Sequence, residues 1–323
     1  VREINKVAVV GAGYMGGGIA QCFALAGMQV QLADASAEAT TAQLARLLNE
    51  AAQFEAQGLF PKGAADTIRA NLHAAPSIED AVRDAEFVEE AVFEKLDVKH
   101  DVLARICAAT GPDTIIGTNT STLPVKVLVT AVTNPARFLT VHFSNPAPFI
   151  PGVELVRGEA TDPAIIPTVK EIIRRTGKRS AEVADRPGFV LNRLQYALFK
   201  EAASVVEEGI ATPEDVDTIV STTFGFRLPF FGPFGIADMA GLDVYAMGMN
   251  IVGDQLDPRL AAPKLLRETV AEGRHGTKNG KGFHGDFTPD QVAAIVAYRN
   301  RAYARMAQLL EELGPSPIEK PVK

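Results

Sequence analysis

Cysteine and histidine are scarce in this 323-residue chain, and their spacing removes two classes of site. The two cysteines, Cys22 and Cys107, fall within helical patterns and show no metal-ligand spacing. A disulfide framework is therefore not expected, and a reducing cytoplasmic setting fits this usage. The five histidines, at 73, 100, 142, 275 and 284, form no H-x-x-H or H-x-x-x-H pair, so no metal site is expected. No apolar run approaches the roughly 20 residues that cross a bilayer, and no basic-then-apolar leader precedes the first strand. A membrane partner is thus not expected. An excess of positive charge is also missing, since 32 Lys and Arg against 39 Asp and Glu leave a formal net charge of -7. That balance argues against a nucleic-acid surface, although a few local cations could still hold an anionic substrate. The sequence has no internal repeat and no long low-complexity tract.

What is present is an ordinary globular composition, 47% hydrophobic and 22% charged. At roughly 100–200 residues per domain, the length suggests two domains. The first shows itself at once. Val7–Val10 is a short apolar run of the kind a buried parallel strand carries. It feeds into Gly11-Ala12-Gly13-Tyr14-Met15-Gly16, then a helix to about Ala26, then a second strand, Gln29–Ala33, ending at Asp34. The first glycine permits the tight turn, the second lets backbone approach a pyrophosphate, and the third lets helix and strand pack closely. The helix N-terminus then turns its unpaired N–H groups toward the phosphates. A lone GxGxxG is weak evidence, but strand before, helix after and an acid about 20 positions on form its confirming context. Gly11, Gly13, Tyr14, Met15, Gly16 and Asp34 are therefore expected at a dinucleotide. Asp34 could instead cap the next helix. At a strand end it is placed to accept from a ribose 2′-OH, which favours NAD over NADP.

Strands at 87–92, 114–117 and 138–141 then alternate with helical patterns near 97–109 and 124–132. That rhythm predicts an α/β domain, a doubly wound Rossmann-type sheet over residues 1–185. Ligands sit outside the carboxyl ends of such strands. Glu94, Asn119-Thr120-Ser121 and His142 all lie just past strand ends and should converge on one crevice. A helix from Pro163 to Arg175 and a last strand at 181–183 complete the domain, and Asp185-Arg186-Pro187-Gly188 marks a hinge. Residues 186–323 predict an all-α domain with helices near 188–208, 213–223, 234–252, 262–272 and 289–312. Thr212-Pro213 and Thr288-Pro289 supply N-caps with Pro at the first helical position. The helix over 189–206 is apolar around its circumference and is expected to be buried, in a dimer interface. The tail from Pro315 is Pro-rich and expected to fray.

A secondary alcohol gives up a hydride easily only if its hydroxyl proton leaves too, and a neutral imidazole suits that task near pH 7. A carboxylate partner would fix the imidazole tautomer and stabilise the imidazolium. His142 follows one strand, and Glu154 interrupts Val153-Glu154-Leu155-Val156, an apolar run that could lie beside it. Ser121 and Asn192 could donate to the substrate oxygen. Periodicity allows a plainer assignment equally well, with His142 capping a strand and Glu154 facing water at a sheet edge. Asn145-Pro146 alone reads as a turn, and Lys278 with Lys281 alone as a solvated one.

As a set, GAGYMGGGIA, NTST, HFSNP with a Glu twelve residues beyond its His, PGFVLNR and KNGKGF carry a resemblance. Their order over about residues 5 to 285 is similar to that of the L-3-hydroxyacyl-CoA dehydrogenase family in its broad sense. By that resemblance the chain oxidises the 3-hydroxyl of a 3-hydroxyacyl-CoA, or a related 3-hydroxy acid, with NAD, and works in fatty acid metabolism as a homodimer. His142 would be the base, Glu154 its partner, and Ser121 and Asn192 the helpers. Glu94, Lys99, Ser121, Asn145 and Lys278 would be cofactor contacts. Departures bear on the substrate. Members using CoA carry lysines on the helical arm after the second strand, where this chain has Gln53-Phe54-Glu55-Ala56-Gln57-Gly58, with Lys62 the nearby replacement. GFVLNRLQYA and VEEGI resemble the branch containing gulonate 3-dehydrogenase, or lambda-crystallin. Arg227, among Phe224, Phe226, Phe230 and Phe231, is then a candidate bidentate clamp for a free carboxylate, or else a structural ion-pair partner. Two other outcomes stay open: a small free hydroxy acid, gulonate-like or 3-hydroxybutyrate-like, as substrate, and a crystallin-like NAD-binding protein without turnover.

Overall fold

The computed structural model describes residues 1–318, so the last residues of the Pro-rich tail lie outside the described residues. The chain divides into two compact units, Val1–Ala197 and Leu198 onward. The division falls inside helix Leu191–Glu207, later in sequence than the 185/186 hinge. The reason is local: Glu154 accepts from the amides of Val190 and Leu191, and Asn192 donates to the Ser121 carbonyl, so the first turn is tied to the first unit.

The first unit is built on eight strands. They are β1 (Lys6–Val10), β2 (Gln29–Ala33), β3 (Leu72–Ala74), β4 (Phe87–Glu90), β5 (Ile115–Thr118), β6 (Phe138–Phe143), β7 (Gly152–Arg157) and β8 (Arg179–Ala184). Their order is β3-β2-β1-β4-β5-β6-β7-β8. The helices are α1 (Tyr14–Leu25), α2 (Ala37–Ala56), α3 (Ala64–Asn71), α4 (Ile78–Val82), α5 (Leu96–Ala109), α6 (Val125–Leu128) and α7 (Ile166–Arg175). Six strands run parallel because a helical crossover separates most successive pairs. The 144–151 connection is too short for such a crossover, so β7 turns back antiparallel to β6. That reversal has a consequence for chemistry, since the register pairs His142 with Glu154.

Alternation along the strands sends apolar side chains to both faces, as a doubly covered sheet requires. One face meets Ile19 and Phe23 of α1, Leu47 of α2, Ile68 of α3 and Val169 of α7. The other meets Val82 of α4, Ile106 of α5 and Leu128 of α6. In α7 the buried positions 166, 169, 172 and 173 recur at helical spacing, and Arg174 and Arg175 close its last turn, where the helix dipole favours cations.

One core residue breaks the pattern. Glu89 of β4 is completely buried, and neither carboxylate oxygen has a hydrogen-bond partner among the described residues. Burial pushes its carboxyl far above the ordinary range, and the neighbouring Glu90 carboxylate pushes it further. The folded state thus holds a proton that the unfolded chain releases, so stability falls as pH climbs past the ordinary carboxylate range. Glu89→Leu should stabilise the protein by about 1–3 kcal/mol at neutral pH, by removing an unpaired polar group from the core. The advantage should widen with pH by up to about 1.4 kcal/mol per unit and shrink in acid. Urea unfolding at pH 4, 7 and 9 checks this, and a pH-independent difference would contradict it.

After Leu191–Glu207, here α8, the second unit has helices Pro213–Thr222, Phe224–Arg227, Pro233–Ala240, Leu242–Gln255, Lys264–Ala271 and Pro289–Leu313. Thr212 caps the first of these, and Thr288 forms a full capping box at the last, as the Thr-Pro pairs indicate. The single helix expected over 234–252 is two, because Gly241 sits at φ +100°, a conformation that ends the first. A two-residue hairpin, Lys281–Gly282 with Gly285–Asp286, interrupts the otherwise helical unit. The expected burial of α8 in a dimer interface is not supplied by one copy of the chain. Of its residues only Asn192 is buried, while Leu194, Tyr196 and Phe199 stand open. Apolar residues around the circumference predicted burial, and among the described residues of one copy these side chains stay open. No helix of the described residues is long and apolar enough to cross a membrane.

Candidate active site

The glycine loop after β1 packs as its sequence requires. Gly11 has φ +97°, and a Cβ there would meet the Ala91 carbonyl oxygen at 2.6 Å. At Gly16 a Cβ would run into the Gly11 carbonyl, so helix and turn close only on glycine. Gly13 differs, because a Cβ there would meet nothing within 4 Å. The chain around it opens on a crevice of ≈ 550 Å³ lined by Gly11, Gly13, Tyr14, Met15, Asp34 and Glu94, among others. Asp34 does not cap α2, a task done by Ser36. Its carboxylate accepts from the amides of Ala12 (2.9 Å) and Ala35 (2.7 Å) and borders the crevice. Open space at the middle glycine, a helix N-terminus and a strand-end carboxylate fit a pyrophosphate and ribose. Gln43 of α2 also lines this crevice, a position the sequence pattern did not single out.

A second crevice of ≈ 480 Å³ adjoins the first, and Met15, Asn119 and Ser121 border both. Its wall also holds His142, Ser144, Asn145, Ile150, Asn192 and Gln195. Here the strand ends converge. His142 Nδ1 lies 2.9 Å from Glu154 Oε2, and His142 Nε2 lies 3.1 Å from Ser121 Oγ. The other Glu154 oxygen accepts from the amides of Val190 and Leu191, each at 2.9 Å. Burial alone would push the Glu154 carboxyl up. The His142 bond and the amides of Leu191 and Val190 outweigh that and hold it below the usual carboxylate range. The edge-strand alternative therefore fails for this pair, since Glu154 is largely buried and each of its oxygens is engaged.

The Phe189 ring lies 5.8 Å from the His142 ring, tilted by 59°, and its backbone is in the left-handed region at φ 47°. Such a conformation is strained for an aromatic residue and is retained where the surroundings enforce it. Gln195, one helical turn beyond Asn192, was equally unmarked in the sequence. Its signal is the i, i+3 spacing, which sets both amides on one helix face.

Below the crevice lies a buried polar layer. Lys99, expected from the resemblance to touch the cofactor, is fully buried instead. Its ammonium is spent on both oxygens of Glu90 (2.9 and 3.1 Å) and on the Asn119 carbonyl (3.2 Å). Glu90 accepts further from Thr118 Oγ1 and the Val92 amide. Glu94 borders the cofactor crevice, but one of its oxygens gathers Thr120 Oγ1 (2.5 Å), the Ser121 and Thr122 amides and Thr122 Oγ1. Glu94 thereby holds the Asn-Thr-Ser-Thr loop that carries Ser121. Two other expected residues belong to the second unit. Lys278 pairs with Asp243 at 2.6 Å, and the Arg227 guanidinium makes no hydrogen bond among the described residues.

The chain is similar to known proteins over most of its length. Residues 6–186 match the family described as 3-hydroxyacyl-CoA dehydrogenase, NAD binding domain, and residues 188–285 match its C-terminal domain. The chain belongs to the 3-hydroxyacyl-CoA dehydrogenase family. It is 34% identical to 5-formyl-3-hydroxy-2-methylpyridine 4-carboxylate 5-dehydrogenase of Mesorhizobium japonicum, covering 95% of this chain and 99% of that one. A probable 3-hydroxybutyryl-CoA dehydrogenase of Bacillus subtilis is 35% identical, covering 87% and 97%. The crystal structure of the 3-hydroxyacyl-CoA dehydrogenase of Archaeoglobus fulgidus superposes with a TM-score of 0.78 at 30% identity, covering 97% and 99%. As a member of this family, the protein is an NAD-dependent oxidoreductase of the 3-hydroxyacyl-CoA dehydrogenase type. The Rossmann-type sheet followed by a helical domain is the architecture of that family.

Proposed function

We propose that His142 is the general base that removes the proton of a substrate 3-hydroxyl, with Glu154 as its partner. The observation that carries this is the unbroken hydrogen-bond line Ser121–His142–Glu154, anchored by backbone amides at its far end. Glu154 accepts from Nδ1–H, which leaves Nε2 as the acceptor facing the crevice. As Nε2 takes the proton, Glu154 stabilises the imidazolium that forms. The Ser121 hydroxyl orients the reacting oxygen toward Nε2, and Asn192 holds Ser121 through its carbonyl. NAD, when bound, would supply the acceptor for the hydride of the substrate's carbinol carbon. Gly11, Gly13, Tyr14, Met15, Gly16 and Asp34 would hold it, with Asn145 at the nicotinamide end and Glu94 behind the Ser121 loop. Lys278 is a further proposed cofactor contact.

The natural substrate in this reading is a compact free 3-hydroxy acid rather than a thioester. Two observations favour it. The substrate crevice carries neutral hydrogen-bonding groups, Ser144, Asn145 and Gln195, whose side chains have no partner among the described residues. A hydrocarbon chain laid against them would leave them desolvated and unpaired, whereas a polar head group would satisfy them. The arm after β2 also has no Lys or Arg from Leu47 to Pro61 to meet CoA phosphates. Its one acid near the tip, Glu55, is spent on the amides of Gly63 and Ala65 at the start of α3. A relative named for a pyridine carboxylate agrees with an acid substrate. The apolar side of α8 would be covered in a homodimer, the commonest closed oligomer, and a cytoplasmic setting suits the two free cysteines.

The test is NADH formation with 3-hydroxybutyryl-CoA set against free 3-hydroxybutyrate and gulonate. One of the free acids should show a kcat/KM at least about tenfold higher, the scale of a lost polar contact. Thioester activity that survives both Lys62→Ala and Arg227→Ala would overturn the free-acid reading.

A further inference from the structure

Of the two buried lysines among the described residues, Lys99 is paired with Glu90. The other, Lys178, just before β8, is 6% exposed and has no carboxylate partner among the described residues. Its ammonium donates instead to two backbone carbonyls of the 144–151 connection, Ala147 O at 2.6 Å and Ile150 O at 2.7 Å. A buried charge without a counter-ion is costly, and the two short bonds to carbonyls are what offset that cost. Burial accordingly holds the Lys178 ammonium below the usual lysine range.

The same connection is gripped from other sides. The Cys22 thiol points at the Ala147 carbonyl at 3.6 Å, and the Arg179 amide donates to Pro151 O at 2.8 Å. Phe149 packs edge-on against Phe54 of the arm, with centroids 5.2 Å apart, and lies 6.0 Å from Phe60. Within the connection, the Phe149 and Ile150 amides both donate to Pro146 O. Its inner side, Ser144, Asn145 and Ile150, forms one wall of the substrate crevice next to His142.

We propose that Lys178 is a positioning residue for the dehydrogenase reaction: it braces the 144–151 connection as a rigid wall and thereby sets the affinity for the hydroxy substrate. The inference rests on the catalytic reading above. Lys178 touches neither the His142–Glu154 pair nor the glycine loop, and Asn145 is the one proposed cofactor contact carried by the connection, so loss of Lys178 should displace substrate while the base and most of the NAD contacts stand. A wall displaced by an ångström is enough to change productive binding by an order of magnitude.

The test uses full-length Lys178→Met and Lys178→Arg, assayed with whichever of 3-hydroxybutyryl-CoA, 3-hydroxybutyrate and gulonate the parent protein oxidises. Lys178→Met should raise KM about tenfold, with kcat within about threefold and the pH profile of kcat unmoved. The dissociation constant for NAD should stay within about twofold, and Lys178→Arg, which keeps the donors, should restore most of the KM. An unchanged KM would overturn the proposal, and so would a parallel loss of kcat and NAD affinity. If Lys178→Met does not fold, Phe149→Ala takes its place. A KM rise of about fivefold there supports the wall, and none refutes it. Amide hydrogen exchange separates this proposal from the catalytic reading. Faster exchange at Phe149 and Ile150 in Lys178→Met upholds the brace even if the parent oxidises none of these substrates, whereas unchanged exchange removes it.

Discussion

His142→Ala lowers kcat by about 1,000-fold while leaving the NAD dissociation constant within about twofold of the parent value, the expected result of removing a general base from an intact cofactor site. The magnitude follows from what the imidazole is asked to do. Without it the hydroxyl proton must leave to water, and the Glu154 carboxylate remains with its His142 bond gone. Glu154→Gln should also cost rate, because an amide can no longer favour the Nδ1–H tautomer or stabilise the imidazolium. The variant still offers an oxygen to the Val190 and Leu191 amides, so α8 should stay in place. Stopped-flow NADH formation and a fluorescence titration with NAD separate the two effects. A loss in kcat below about tenfold for His142→Ala would remove it from the chemistry. The stability contribution of Glu154 has a definite sign as well. Its carboxyl is held below the ordinary range when folded, so that contribution is full above that range and is lost as pH falls through the folded value.

Lys99→Met destabilises the protein by about 3–5 kcal/mol, the expected cost of removing one partner of a fully buried ion pair. Both side chains are entirely inaccessible, so the Glu90 carboxylate would be left with Thr118 and the Val92 amide against its burial. Glu89 lies next to it in sequence, on the opposite face of the sheet, and already resists ionisation. The loss should be partly recovered by adding Glu90→Leu, since an apolar pair of similar volume replaces a charge with no partner. Guanidinium unfolding of the parent, the single variants and the double variant closes the cycle. Additive losses in the double variant would show that the pair does not act as a unit. A change confined to NAD affinity, with stability unaltered, would return Lys99 to the cofactor site and contradict its burial.

Much of this protein can be read directly from local pattern. The GxGxxG turn, its strand, its helix and Asp34 are close in sequence, so one window contains the whole argument. The Thr-Pro helix starts at 212 and 288 are equally local, and the structure has both caps. The fates of Lys99 and Glu94 were less accessible. Glu94 lies just past β4 and Lys99 in the first turn of α5, and only the packing of α5 against the sheet turns Lys99 inward. Glu94 faces the crevice yet spends an oxygen on a loop 26 to 28 residues away. The apolar circumference of α8 indicated burial, but a pattern says that a face must be covered, not by what.

The sequence by itself determined the cofactor class, the doubly wound sheet and the presence of a histidine and a glutamate on two short strands. Whether those two form a pair was undecided, because twelve residues of chain permit many arrangements. The tertiary structure decided it through register: the short 144–151 connection forces β7 antiparallel and sets His142 opposite Glu154. It also decided the contacts of Lys178, which bonds two carbonyls some 30 residues away that no local pattern links to it. Hydrogen bonds to backbone leave no signature in the residue types they join, and that is the physical reason this part of the site appears only in the fold.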